Sequence, residues 1–61
     1  MFIFYKDEDT EVLLNLSNAH EVSKTGTRIK VVFDPRAVTY VPEEGLIDPS
    51  SWKEIVRRAV D

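Results

Sequence analysis

Cysteine is absent from the 61 residues of this chain. No disulfide can staple the fold, and no thiolate can hold a metal ion. The absence fits a reducing compartment, and a cytoplasmic location is the expectation. Long apolar runs are missing as well. None approaches the ~20 residues that cross a bilayer. The opening Met1-Phe2-Ile3-Phe4-Tyr5 is too short for a secretory core and has no basic flank. A single histidine precludes a His-rich metal site within one chain, and the formal net charge of −3 lacks the basic excess that non-specific nucleic-acid binding rests on. No repeat, low-complexity tract or linker divides the sequence, so residues 1–61 are expected to form one small soluble domain.

A chain this short buries only about 60% of the surface that its unfolded form exposes. Its core supplies on the order of 3–5 kcal/mol net, so good packing or self-association must replace the missing staples.

Alternation places the elements. Residues 2–6 are aromatic and β-branched and read as a strand, followed by a polar turn at Lys6-Asp7-Glu8-Asp9-Thr10. Residues 11–16 alternate cleanly, with Val12, Leu14 and Leu16 on one side and Glu11, Leu13 and Asn15 on the other. Ser17-Asn18 has turn chemistry, and residues 20–24 are a weaker strand. Gly26 is placed to supply the positive φ of a tight hairpin. In residues 28–33, Ile29, Val31 and Phe33 oppose Arg28, Lys30 and Val32. Asp34-Pro35-Arg36 reads as a turn. Residues 37–41 return as a strand, ended at Pro42 by the loss of a ladder donor.

The last segment is helical. Asp48-Pro49 offers one start, as an N-cap followed by proline, and Ser51 with Glu54 offers a capping box as another. Either start aligns Trp52, Ile55, Val56, Ala59 and Val60 on one stripe, with Lys53, Glu54, Arg57, Arg58 and Asp61 toward water. So short a helix must dock to persist.

The predicted fold is α+β: an antiparallel meander of four to five strands packed against one C-terminal helix. The covered face is expected to hold Val12, Leu14, Leu16, Ile29, Val31, Phe33, Val38 and Tyr40 with Trp52 and Ile55, while Leu46 and Ile47 seal an end. One helix shields one face. The other face carries Leu13, Val32 and Val41, with Ile3 and Tyr5 or their neighbours Phe2 and Phe4, and that is more apolar than a wetted face requires. Three readings stand open: the sheet curls until the face is hidden, a second copy covers it, or a different protein docks there. Ile3, Tyr5, Leu13, Val32 and Val41 are therefore the expected partner interface.

Candidate chemistry is sparse. Asp7-Glu8-Asp9 does not follow a calcium loop, because Val12 stands where the loop needs its glycine. His20-Glu21 joins an imidazole to a carboxylate, but no nucleophile sits in a recognisable elbow. Lys24-Thr25-Gly26-Thr27 lacks the paired glycines of a phosphate loop. Lys24, Arg28, Lys30, Arg57 and Arg58 are the residues a small nucleic-acid-binding regulator would use, interleaved here with acids. Trp52 has the helical phase of a core anchor.

The order of apolar positions resembles that of small bacterial proteins including the flagellar-operon FlbD family. The matching stretches are Leu14-Asn15-Leu16-Ser17, Ile29-Lys30-Val31-Val32-Phe33, Tyr40-Val41-Pro42-Glu43 and the helix through Val60. Asp34-Pro35-Arg36 stands where such proteins often place an Asn-Gly-like turn. The resemblance implies a small bacterial or phage accessory protein without catalytic activity.

From the residues alone, the expectation is a non-enzymatic interaction module that associates with itself or with another protein through its sheet. No cofactor, metal site or membrane contact is expected.

Overall fold

In a computed structural model the described residues are 1–34 and 36–60. Pro35, expected within a turn at 34–36, and Asp61, expected to face water, lie outside them. The fold is α+β, as its pattern predicts, but the described residues form six strands in two antiparallel three-stranded sheets rather than four to five in one. The strands are β1 (Phe2–Asp7), β2 (Thr10–Asn15), β3 (Ala19–Thr25), β4 (Arg28–Phe33), β5 (Ala37–Pro42) and β6 (Leu46–Asp48). A 3-10 turn, Glu43–Gly45, joins β5 to β6, and helix α1 runs Trp52–Val60. One sheet has the order β2-β1-β6 and the other β3-β4-β5.

Three local chemistries set this topology. Asp7 pairs with Thr10, so Glu8 and Asp9 form a two-residue hairpin loop. Thr25 pairs with Arg28 across Gly26-Thr27, and Gly26 takes the left-handed φ of +63° that the hairpin needs. At Ser17-Asn18 the chain leaves the first sheet for the second. Ser17 N–H donates to Asn15 Oδ1 at 3.0 Å and Ala19 N–H donates to the Leu16 carbonyl at 3.0 Å, a turn held by a short polar side chain.

Glu8 adopts φ +56°, where an L side chain is strained. Glu8→Gly relieves that strain and is expected to raise stability by about 1 kcal/mol, or about 4–8 °C in a thermal melt.

The two sheets share one core. Ile3 and Tyr5 from β1 meet Ile29 and Val31 from β4, Val41 from β5 and Ile55 from α1. Val12, Leu14, Leu16, Val22, Phe33, Leu46 and Trp52 pack around this cluster half-buried. The second sheet and α1, through Ile55 and Trp52, together cover the inner face of the first sheet, where the sequence pattern expected α1 alone.

Register corrects three expected interface residues. Ile3 lies opposite Leu14 and Tyr5 opposite Val12, and directly opposed residues share a face. Ile3 and Tyr5 are therefore core, and their neighbours Phe2 and Phe4 take the outer face. Val41 lies opposite Ile29 and is fully buried, whereas Val38 and Tyr40, expected inside, are 46% and 50% exposed. A strand has period two, so one step of register exchanges its faces. Ile47, expected to seal an end, is the extra residue of a bulge: Tyr5 pairs with Leu46 and Phe4 with Asp48, which leaves Ile47 unpaired and exposed.

The capping-box start of α1 is the one realised. Ser51 Oγ accepts from Glu54 N–H at 3.3 Å. The alternative start at Asp48-Pro49 is not used, because Asp48 ends β6 and α1 begins at Trp52. Glu43 reaches back from the 3-10 turn. Its Oε2 accepts from Trp52 N–H at 3.3 Å while its Oε1 pairs with Lys24 Nζ at 3.3 Å. One carboxylate thus ties the helix N-terminus, where negative charge is favoured, to the end of β3.

Burial, and then the nearby negative charge of Asp7, raises the Tyr5 phenol above its usual pKa of 10.0. A raised folded-state pKa means that the stabilisation is complete below the unfolded value and is lost as pH climbs through the folded one. The urea midpoint is expected to fall as pH rises past the usual phenol value of 10.0, and Tyr5→Phe is expected to flatten that part of the profile.

Candidate interaction surfaces

Three surfaces remain once the core is filled. The first is the outer face of β1 and β2. Leu13 lies opposite Phe4, and Phe2 lies opposite Asn15. Leu13 is 66% and Phe2 51% exposed, and Phe4 is half-buried between them. Lys6 faces Glu11 at the far end of the same face, an opposite-charge pair that bounds the apolar stretch. Of the five residues expected at an interface, Leu13 is on this face and the half-buried Val32 is on the outer face of the other sheet. Ile3, Tyr5 and Val41 are inside.

The second surface is the outer face of β3-β4-β5. Ser23, Lys30 and Tyr40 form one cross-strand row, Thr25, Arg28 and Pro42 the next. The Arg28 guanidinium sits 4.9 Å from the centroid of the Tyr40 ring, a cation–π contact. Thr25, Arg28, Lys30 and Tyr40 line a shallow depression of about 290 Å³. Val32 and Val38 continue the face toward the opposite end. The other three candidate cations are held elsewhere. Lys24 pairs with Glu43, Arg57 with Glu54 at 2.6 Å, and Arg58 with Asp48 at 3.2 Å. The structure brings together Arg28 and Lys30 and leaves Arg57 and Arg58 on α1.

The third is an apolar groove of about 550 Å³ between α1 and the β2–β3 corner. The expected helical stripe splits here. Ile55 is buried and Trp52 half-buried against the core, while Val56, Ala59 and Val60 face the groove, Val60 being 77% exposed. Leu16, Ala19 and Val22 form the opposite wall, with Met1 at one end. His20 and Glu21 also line it. His20 is the extra residue of a bulge, since Ala19 pairs with Phe33 and Glu21 with Val32. Among the described residues no hydrogen bond joins His20 to Glu21, and the lining includes no serine, threonine or cysteine. Asp7, the first carboxylate of the acidic turn, lines a different depression with Arg28 and Tyr40. Among the described residues no three His, Asp or Glu side chains gather closely enough to hold a metal ion. None of the described helices is long and apolar enough to cross a membrane.

The Arg28–Tyr40 stack and the groove wall were not anticipated. For Tyr40 a signal exists: Phe33 pairs with Ala37, a spacing that sends the odd-numbered residues of β5 inward and Tyr40 outward. The groove has no such signal, because it depends on where α1 docks.

Comparison with protein-family models, with curated proteins and with solved structures finds no match for this chain, so the resemblance to small flagellar-operon proteins gains no support from a family match.

Proposed function

We propose that this chain is a non-enzymatic interaction module that self-associates through its β2-β1 sheet. The observation that carries the reading is the adjoining set Phe2, Phe4 and Leu13 on the outside of a domain whose core is already filled. Contiguous exposed apolar surface on a small domain marks an interaction site. Self-association also offsets the thin core of a 61-residue chain without cysteine. The test is sedimentation or light scattering across a concentration series. The parent chain is expected to exceed monomer mass, and Leu13→Lys is expected to return it to monomer while changing the stability of the isolated fold by no more than about 0.5 kcal/mol. A chain that stays monomeric at high concentration removes the reading.

A second reading, a small nucleic-acid-binding regulator, is favoured by one observation: Arg28, Lys30 and Tyr40 share one sheet face, with Arg28 stacked on the ring. Phosphate contact beside an aromatic platform is how small sheets hold single strands. Salt-sensitive oligonucleotide binding weakened by Arg28→Ala and Lys30→Ala, but not by Arg57→Ala, supports it. Absence of any binding at low salt ends it. The net charge of −3 weighs against this reading.

A further inference from the structure

The four sheet edges are not equivalent. β6 is three residues long, and an edge so short offers little to pair with. β3 is broken by the bulge at His20. On β5 the hydrogen-bond phase is fixed by Glu43 N–H donating to the Thr27 carbonyl at 2.9 Å. Thr27–Glu43 is thus a bonded pair, and alternation makes Ile29–Val41 and Val31–Thr39 bonded pairs as well. Val38, Tyr40 and Pro42 then turn their backbone groups toward the free edge, where Pro42 has no N–H to give. β2 has none of these devices. It is six residues long, regular against β1 throughout and free of proline and glycine.

The same phase argument fixes what β2 offers. Leu16 N–H donates to the Met1 carbonyl at 2.8 Å. Met1–Leu16 is therefore a bonded pair, and so by alternation are Ile3–Leu14 and Tyr5–Val12. Glu11, Leu13 and Asn15 are left with N–H and C=O groups directed away from β1. In an antiparallel pairing of β2 with a copy of itself, opposed residues must share a face, so the twofold axis passes through a residue. An axis at Leu13 sets Glu11 against Asn15 of the copy and Leu13 against Leu13, and all three outward residues pair. An axis at Val12 leaves out Asn15, and one at Leu14 leaves out Glu11. The Leu13 axis also opposes no like charges, and it sets Val12 against Leu14 on the inner face.

The geometry points to a second copy of this chain as the occupant of the β2 edge, paired antiparallel about Leu13 to make one continuous six-stranded sheet, β6-β1-β2-β2-β1-β6. The inference rests on the self-association reading and moves its contact from the outer face to the adjoining β2 edge. It also joins the two outer apolar faces, Phe2, Phe4 and Leu13 from each chain, into one surface.

Because the chain has no cysteine, single introduced thiols report the contact without background. Opposed Cα atoms of a bonded antiparallel pair lie about 5.5 Å apart, inside the range of about 4.4–6.8 Å that a disulfide spans. Leu13→Cys is expected to give a disulfide-linked dimer under mild oxidation. Glu11→Cys and Asn15→Cys are each expected to stay unlinked, since four residues of strand separate the equivalent positions by roughly 14 Å. An equimolar mixture of those two variants is expected to cross-link. In the parent chain, exchange of the Glu11, Leu13 and Asn15 amides is expected to slow as concentration rises, while the Val12 and Leu14 amides are protected throughout. A dimer by sedimentation that links through Phe2→Cys, and not through the Glu11→Cys and Asn15→Cys mixture, overturns the edge pairing and keeps self-association. A parent chain that is monomeric at every concentration overturns both.

Discussion

Ile3→Ala is expected to leave most of the chain unfolded at room temperature. Ile3 is fully buried at the centre of the cluster shared by both sheets, so its truncation removes contacts to β2, β4 and α1 together. Large-to-small changes of this kind cost about 2–5 kcal/mol, a lost transfer term plus the cavity left behind. A domain of this size has on the order of 3–5 kcal/mol to lose. The neighbouring Phe2 points outward and is half exposed, so Phe2→Ala is expected to change stability by no more than about 0.5 kcal/mol. The pair isolates register from hydrophobicity, because Phe2 is the larger side chain and yet the smaller loss. Urea titration of both variants in dilute solution checks it. A reversed order, with Phe2→Ala the less stable of the two, would mean that β1 presents the opposite face to the core.

Gly45→Ala is expected to cost about 3 kcal/mol, at the upper end of the overpacking range. Gly45 closes the 3-10 turn that returns the chain from β5 to β6. A Cβ there would run into the Lys6 carbonyl oxygen well inside contact distance and would meet Pro42 Cγ at 3.2 Å. Both obstacles are stiff: one is backbone of β1, held in the ladder with β2, and the other is a proline ring. Relief requires β6 to move off β1, which also disturbs Asp48 and its ion pair with Arg58. The useful contrast is Gly26→Ala. Its Cβ meets nothing within 4 Å, and its cost is the left-handed φ of +63° alone, about 1–2 kcal/mol. A denaturant series that ranks Gly26→Ala as the more damaging of the two would contradict the close approach of β1 to the 3-10 turn.

The comparison of Ile3 with Phe2 shows where sequence reasoning stopped. Composition and alternation together located every strand that the described residues form except β6, and alternation identified both faces of β2 and β4. It did not decide which face of β1 or β5 goes inward. In β1 both parities are apolar, Ile3 and Tyr5 against Phe2 and Phe4, so composition carries no vote. The hairpin does: a two-residue loop at Glu8-Asp9 puts Tyr5 opposite Val12, and the clean alternation of β2 then orients β1. In β5, Val38 and Tyr40 were expected on the wrong face, and the pairing of Phe33 with Ala37 is the better guide. Pairing geometry outranked hydrophobic content in both cases, because opposed residues share a face whatever their type.

The residues alone determined the α+β class, the Gly26 hairpin, the C-terminal helix with two possible caps and the presence of more apolar surface than one helix can cover. Those are local matters, set by backbone φ, short-range hydrogen bonds and the periods of strand and helix. Only the tertiary structure decided that the strands fold into two sheets around one core and the Asp48–Arg58 pair is made, that α1 starts from Ser51, and that Phe2, Leu13, Val38, Tyr40, Ile47, Val56 and Val60 are among the apolar residues left outside. That partition depends on which distant strands meet across the core. Sequence spacing is silent there, because contact between Ile3, Ile29 and Ile55 is fixed by packing in three dimensions and by no repeat along the chain.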